Sequence, residues 1–132
     1  MLKPILSIVT PTREGFSEHW LKKLLEVKGD IEFILVHPPG MTKASIDDPR
    51  VQQINSPLRG EVIQRITGLT NASGTYTISL NCDEYLTPDI SEIVFQYFKL
   101  CSHFSIVKFF FLVEKYFSEN FYSYQLLTTF NL

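Results

Sequence analysis

Cysteine is scarce in this chain: Cys82 and Cys101 are the only two among 132 residues. They lie far apart and fall in no CxxC or Cys/His pattern, which excludes a disulfide framework and a zinc site. Both read as reduced, half-buried thiols, which suits a cytoplasmic protein. Charge of one sign is lacking too. Twelve Lys and Arg stand against fourteen Asp and Glu, for a net charge of -2. The basic residues are scattered, with no run to neutralise a line of phosphates, so no nucleic-acid partner is expected. Long apolar runs are absent. The segment IVKFFFLV (106–113) is interrupted by Lys108 and falls far short of the ~20 residues that span a bilayer. The opening MLKPILSIVTPT is a poor signal peptide, because its apolar stretch is short, Pro4 breaks it and no small-residue cleavage site follows. No P-loop, GxGxxG, zinc spacing or Ser/His/Asp order appears.

What is present is an ordinary globular composition, 45% hydrophobic and 20% charged, over a length that fits one domain, residues 1–132. Ile5 to Thr10 is a short β-branched run stopped by Pro11 and reads as a buried strand. Ser17 can cap a helix running to about Lys28, with Trp20, Leu21, Leu24 and Leu25 as its stripe and Gly29 as its stop. Ile31 to Val36 is a second strand, ended by His37-Pro38-Pro39-Gly40. Met41 to Pro49 reads as loop, and Val51 to Ile54 as a short strand. Gly60 to Ala72 carries Val62, Ile63, Ile66 and Leu69 at helical spacing. Thr75 to Asn81 alternates as a strand. Thr87-Pro88-Asp89 signals a helix start, followed by Ile90, Ile93, Val94, Tyr97 and Phe98 on one face. Phe104 to Val113 is a fourth long strand. Past Lys115 the chain is aromatic and polar without clear period.

Strands alternating with helices predict an α/β fold, a mostly parallel sheet with helices on both faces. In such sheets ligands bind beyond the carboxyl ends of the strands, near the point where strand order reverses. The informative residues are therefore Pro11 to Glu14, His37 to Gly40 and Asn81 to Glu84. Asn81 and Asp83, two positions apart, could face one ligand together. Two such oxygen donors and a diphosphate would suit Mg²⁺ or Mn²⁺. On residue types alone a solvated polar turn explains the segment as well.

The run GEVIQRITGLTNASGTYTISLNCDEYLTP (60–88) resembles, without a gap, the family-2 glycosyltransferase stretch GxSxARNxGLxxAxGxYIxFLDxDDxLxP. Gly60, Arg65, Gly68, Leu69, Ala72, Gly74, Tyr76, Leu80, Asp83, Leu86 and Pro88 fall on it. The opening ILSIVTPTRE resembles that family's first strand and PTYN turn, with Arg13 and Glu14 in place of Tyr and Asn. The likeness covers about residues 4 to 98. It implies the GT-A fold, a nucleotide-diphosphate sugar as donor and Mn²⁺ or Mg²⁺. Carried over by position, Pro11, Thr12, Arg13 and Glu14 would lie near the nucleotide, with Arg65 on the helix lining the donor site. Asn81 and Cys82 would border the donor. Asp83, with Glu84 beside it, would supply the metal-binding acid of a DxD-like motif. Two departures stand out. The first acid of that motif is Asn81, and His37 stands where the family's second strand ends in a base-recognising acid, which makes His37 a candidate nucleotide contact.

The leading expectation is a glycosyltransferase-like enzyme transferring a sugar to an unknown acceptor. The alternative is a catalytically inactive binding or regulatory module on the same fold. A sugar-nucleotide pyrophosphorylase ranks last, because PTREGF lacks the Gly-rich basic loop it needs. A general base must reach the acceptor hydroxyl. Past Lys99 the only acids are Glu114 and Glu119, candidates for that role that read equally well as surface residues. His19, beside Trp20 in the first helix, reads as a surface or helix-edge residue, and His103 has no evident partner. The aromatic residues between Phe109 and Tyr124 read as core and subunit interface, which would favour a homodimer.

Overall fold

The computed structural model describes residues 3–100, 106–114 and 122–130, with side chains over residues 3–96. Four parallel strands form the main sheet. These are β1 (Leu6–Pro11), β2 (Ile31–His37), β3 (Val51–Asn55) and β4 (Tyr76–Ser79), in the order β3-β2-β1-β4. In register, Leu6 lies opposite Ile31 on one side and Tyr76 on the other. Every residue of β1 is buried. That is why it reads as an unbroken apolar run rather than as an alternation, as expected of a central parallel strand covered on both faces.

Alternate side chains sort onto the two faces. Leu6, Ile8, Phe33, Leu35 and Ile78 pack with Trp20 and Leu24 of helix α1 (Glu18–Leu25) and with Ile90 and Val94 of helix α3 (Ile90–Leu100). Val9, Ile34 and Val36 face the opposite way, where Leu69 of helix α2 (Glu61–Asn71) joins them. The expected α/β fold with helices on both faces is the one observed.

Helix α1 starts where expected, with the Ser17 hydroxyl accepting from Trp20 N at 3.3 Å. It stops at Leu25, short of Lys28, and Arg50 supplies a physical reason. The guanidinium donates to Leu25 O at 2.9 Å and Val27 O at 2.8 Å, taking the carbonyls that a further turn would use. Asp48 pairs with Arg50 at 2.9 Å. That hydrogen bond holds the Asp48 carboxyl below its usual range. The start of α3 is shifted. Thr87 donates its hydroxyl to Asp89 at 2.6 Å instead of capping, and Pro88 lies in the turn before the helix.

The inner face of α2 differs from the one its apolar residues predict. Val62 and Ile66 are 68% and 52% exposed, whereas Gln64 and Gly68 are buried. Gly68 lies so close to β1 and β2 that a Cβ there would collide with the Val9 side chain and come within 2.9 Å of Val36 Cγ2. The glycine thus sets the docking face and turns Val62 and Ile66 outward.

Strand β5 (Ile106–Glu114) covers the predicted fourth long strand from Ile106 to Val113; its expected first residues, 104 and 105, lie outside the described residues. It pairs antiparallel with β6 (Tyr122–Phe130), an element the sequence did not mark, in a separate two-stranded sheet. Glu114 ends β5 opposite Tyr122, while Glu119 lies outside the described residues. Among the described residues no helix is long and apolar enough to cross a membrane.

Candidate functional site

From β1 the chain steps outward through β2 and β3, then returns to place β4 on the other side of β1. The order therefore reverses between β1 and β4, where side-by-side strand ends leave a crevice. A cleft of about 310 Å³ opens there. Pro11, Thr12 and Arg13 line it from the end of β1, and Asn81, Cys82 and Asp83 from the end of β4. Glu61 and Gln64 close it from the first turns of α2. A second cleft of about 280 Å³ adjoins it, lined by Phe16 and Trp20 and sharing Arg13, Cys82 and Asp83 with the first. Six of the expected site residues thus come together at one place.

The cleft is braced from below. Gln64 donates its Nε2 to Thr12 O at 2.9 Å and Val36 O at 2.7 Å, tying α2 to the ends of β1 and β2. On the far side Trp20 donates its indole N–H to Glu84 O at 2.8 Å, so α1 holds the loop that carries Asp83. Cys82 sits between charges. Burial pushes its thiol up, Arg13 pulls it down and Asp83 adds to the rise. The thiol is therefore protonated near neutral pH and is no nucleophile.

Four expected residues lie elsewhere. Glu14 is exposed and does not line the cleft. Arg65 braces the wall: it donates to Glu61 at 2.6 Å, and also to the Ser79 hydroxyl and to Asn81 Oδ1. Glu84, expected beside a metal, is only 6% exposed and its Oε2 accepts from Asn81 N at 3.2 Å. His37, expected at the nucleotide, is fully buried beneath the cleft floor. Its Nδ1 is 2.5 Å from Thr12 Oγ1, its Nε2 is 2.8 Å from Gln53 Oε1, and its ring stacks on Phe16. Gln53 Oε1 also accepts from Ala44 N, and Gln53 Nε2 donates to Ala44 O. Being an acceptor there, Gln53 fixes the tautomer: His37 donates from Nε2, and neutral His37 accepts from Thr12 at Nδ1. Burial is the main cause that lowers the His37 pKa, with Lys43 adding to it and Gln53 opposing.

Sequence reasoning missed Gln64 and Glu61. Gln64 carried a signal: it lies four residues before Gly68, on the same helix face, so a close-packed glycine face included a polar side chain.

The residues do not offer Mn²⁺ or Mg²⁺ the free pair of oxygen donors, Asn81 and Asp83, that their spacing suggested, nor Glu84 beside Asp83. Asn81 has already given its carbonyl oxygen to Arg65, and Glu84 is turned inward. Among the described residues no group of three or more His, Cys, Asp and Glu could hold a metal ion. Asp83 remains as one free carboxylate on the wall of the cleft.

The sequence matches no family model and no curated protein. Solved structures do match by shape. The structure of S. aureus TarS 1-349 in complex with UDP superposes with a TM-score of 0.58 at 16% identity, over 80% of this chain and 34% of that one. TarS 1-349 in complex with UDP-GlcNAc gives 0.53 at 18% identity, over 80% and 33%. What the likeness shows is the fold, a GT-A-type α/β sheet. A CMP-2-keto-3-deoxy-manno-octonic acid synthetase complexed with CTP gives 0.56 at 13% identity, over 96% of this chain and 73% of that one. This chain spans about a third of the length of the TarS 1-349 chains it matches.

Proposed function

We propose that the cleft between β1 and β4 binds a nucleotide-diphosphate sugar and that the chain serves as the donor-binding part of a glycosyltransferase. One observation carries this reading. The two stretches that resemble the family-2 pattern include the turn after β1 and the segment after β4, and these two strand ends line one cleft at the strand-order reversal. In transfer, the acceptor hydroxyl would attack the anomeric carbon. The bond from that carbon to the diphosphate would break, the nucleoside diphosphate would leave, and the hydroxyl proton would pass to a base. Glu114 and Glu119 remain the candidates for that base.

A second reading, an inactive module that binds the nucleotide sugar without transferring it, is favoured by the engagement of Asn81 with Arg65 and of His37 with Thr12 and Gln53. Calorimetric titration of the purified chain with UDP, GDP, CTP and the common UDP- and GDP-sugars tests the binding both readings share. Saturable binding of a nucleoside diphosphate or its sugar is expected. Binding of CTP in preference to every diphosphate would point instead to nucleotidyl transfer. No binding at millimolar concentration would sink the proposal. Turnover with a panel of acceptors then separates enzyme from module.

A further inference from the structure

A bound nucleotide diphosphate needs positive charge beside it, and the cleft supplies that charge in an unexpected place. The Arg65 guanidinium is consumed by Glu61, Ser79 and Asn81. Arg13 is not. It is exposed at the end of β1, and among the described residues no carboxylate lies within ion-pair distance of it. It also lines both adjoining clefts, so a ligand filling either one meets its side chain. The carboxylate side of the site is correspondingly thin: among the described residues that line it, Glu61 is paired with Arg65 and Asp83 alone is uncommitted.

Building on the reading above, we propose that Arg13 does the work of the divalent cation: its guanidinium holds the diphosphate, and the nucleotide binds without Mn²⁺ or Mg²⁺. A guanidinium is charged at every working pH, and its planar fork matches two phosphate oxygens at once. Asp83 then sits beside the diphosphate as a like charge and not as a ligand. The sign of its contribution reverses. Where a metal bridges Asp83 and the phosphates, removing the carboxylate abolishes binding. Where Arg13 holds the phosphates, removing it relieves repulsion. For charges several ångströms apart in a solvated cleft, that relief amounts to roughly 3- to 10-fold in affinity.

The test is calorimetric titration with UDP, CDP and GDP in EDTA and in Mn²⁺, on the parent, Arg13→Met and Asp83→Asn. Circular dichroism checks that each variant is folded. For whichever nucleotide the parent binds, the affinity is expected to agree in EDTA and Mn²⁺ within about twofold, to fall about tenfold or more in Arg13→Met, and to rise in Asp83→Asn. The affinity should also drop as salt is raised, because an exposed guanidinium is screened. Parent binding that appears only with Mn²⁺ and disappears in Asp83→Asn overturns the inference while leaving the nucleotide site intact. Unchanged binding in Arg13→Met overturns it as well. Failure of the parent to bind any nucleotide under either condition overturns the functional reading itself.

Discussion

Both ring nitrogens of His37 are committed inside the protein, and that changes what a histidine at a strand end means. The position looked like a ligand contact in the sequence because it lies at the end of the second strand. The structure makes it a buried strut between Thr12 at the cleft and Gln53 on β3. No local pattern could reveal this, since its partners are 25 and 16 residues away. Burial holds the folded-state pKa below the ordinary 6.5. As pH falls, the unfolded chain takes up this proton first. The contribution of His37 to stability is therefore complete above 6.5 and is lost as pH falls below it. Urea unfolding between about pH 5 and about pH 8 should show stability dropping on the acid side, with a shallower drop in His37→Gln. A stability that stays flat or rises on acidification would contradict the buried neutral imidazole. Asn81 teaches the same lesson: as a residue type it reads as an oxygen donor for a metal, and only the contact with Arg65 reveals that its oxygen is already engaged.

Helices α1 and α2 hold the cleft in different ways, and each can be tested. Gly68 lets α2 lie against Val9 and Val36. Gly68→Ala forces a methyl group into that contact, at a cost of about 1–3 kcal/mol from overpacking, against the small gain alanine normally brings to a helix. Denaturant unfolding reads the net loss, and a gain in stability would show that α2 docks less closely than described. Trp20 joins α1 to the loop carrying Asp83 through its indole N–H. Trp20→Phe keeps most of the ring but strands the Glu84 carbonyl. A loss of about 1–3 kcal/mol is expected, with faster amide exchange over residues 81–84; unchanged exchange there would mean the bond does not hold the loop. The strands of the parallel sheet and most helix starts were legible because buried parallel strands write apolar runs, and capping residues act locally; β6, outside that sheet, was not. The docking face of α2 was not, because Val62 and Ile66 followed helical spacing while the glycine contact overrode it. The end of α1 was hidden for a similar reason, since Arg50 stops it from 25 residues downstream of Leu25.

At the scale of the molecule, alternating strands and helices specified an α/β sheet, and the observed order β3-β2-β1-β4 puts its reversal between β1 and β4. The location of the cleft follows from that topology. Its lining from β1 and β4 was legible in the sequence; the α2 wall, with Gln64 and Glu61, was not. A third, larger cavity of about 640 Å³ lies between α1 and the segment 44–48, lined by Leu21, Leu25 and Ile46 among others. It meets the adjoining cleft at Phe16 but shares no lining residue with the cleft at the strand-order reversal, so it serves as an internal control. The most direct test is therefore a map of nucleotide contacts on the isotope-labelled 15.3 kDa chain, by amide chemical-shift changes during titration with UDP and CTP. Shifts concentrated at Thr12, Arg13, Gln64, Cys82 and Asp83 are expected. Shifts concentrated at Leu21, Leu25 and Ile46, or none at saturating nucleotide, would contradict a nucleotide site at the ends of β1 and β4.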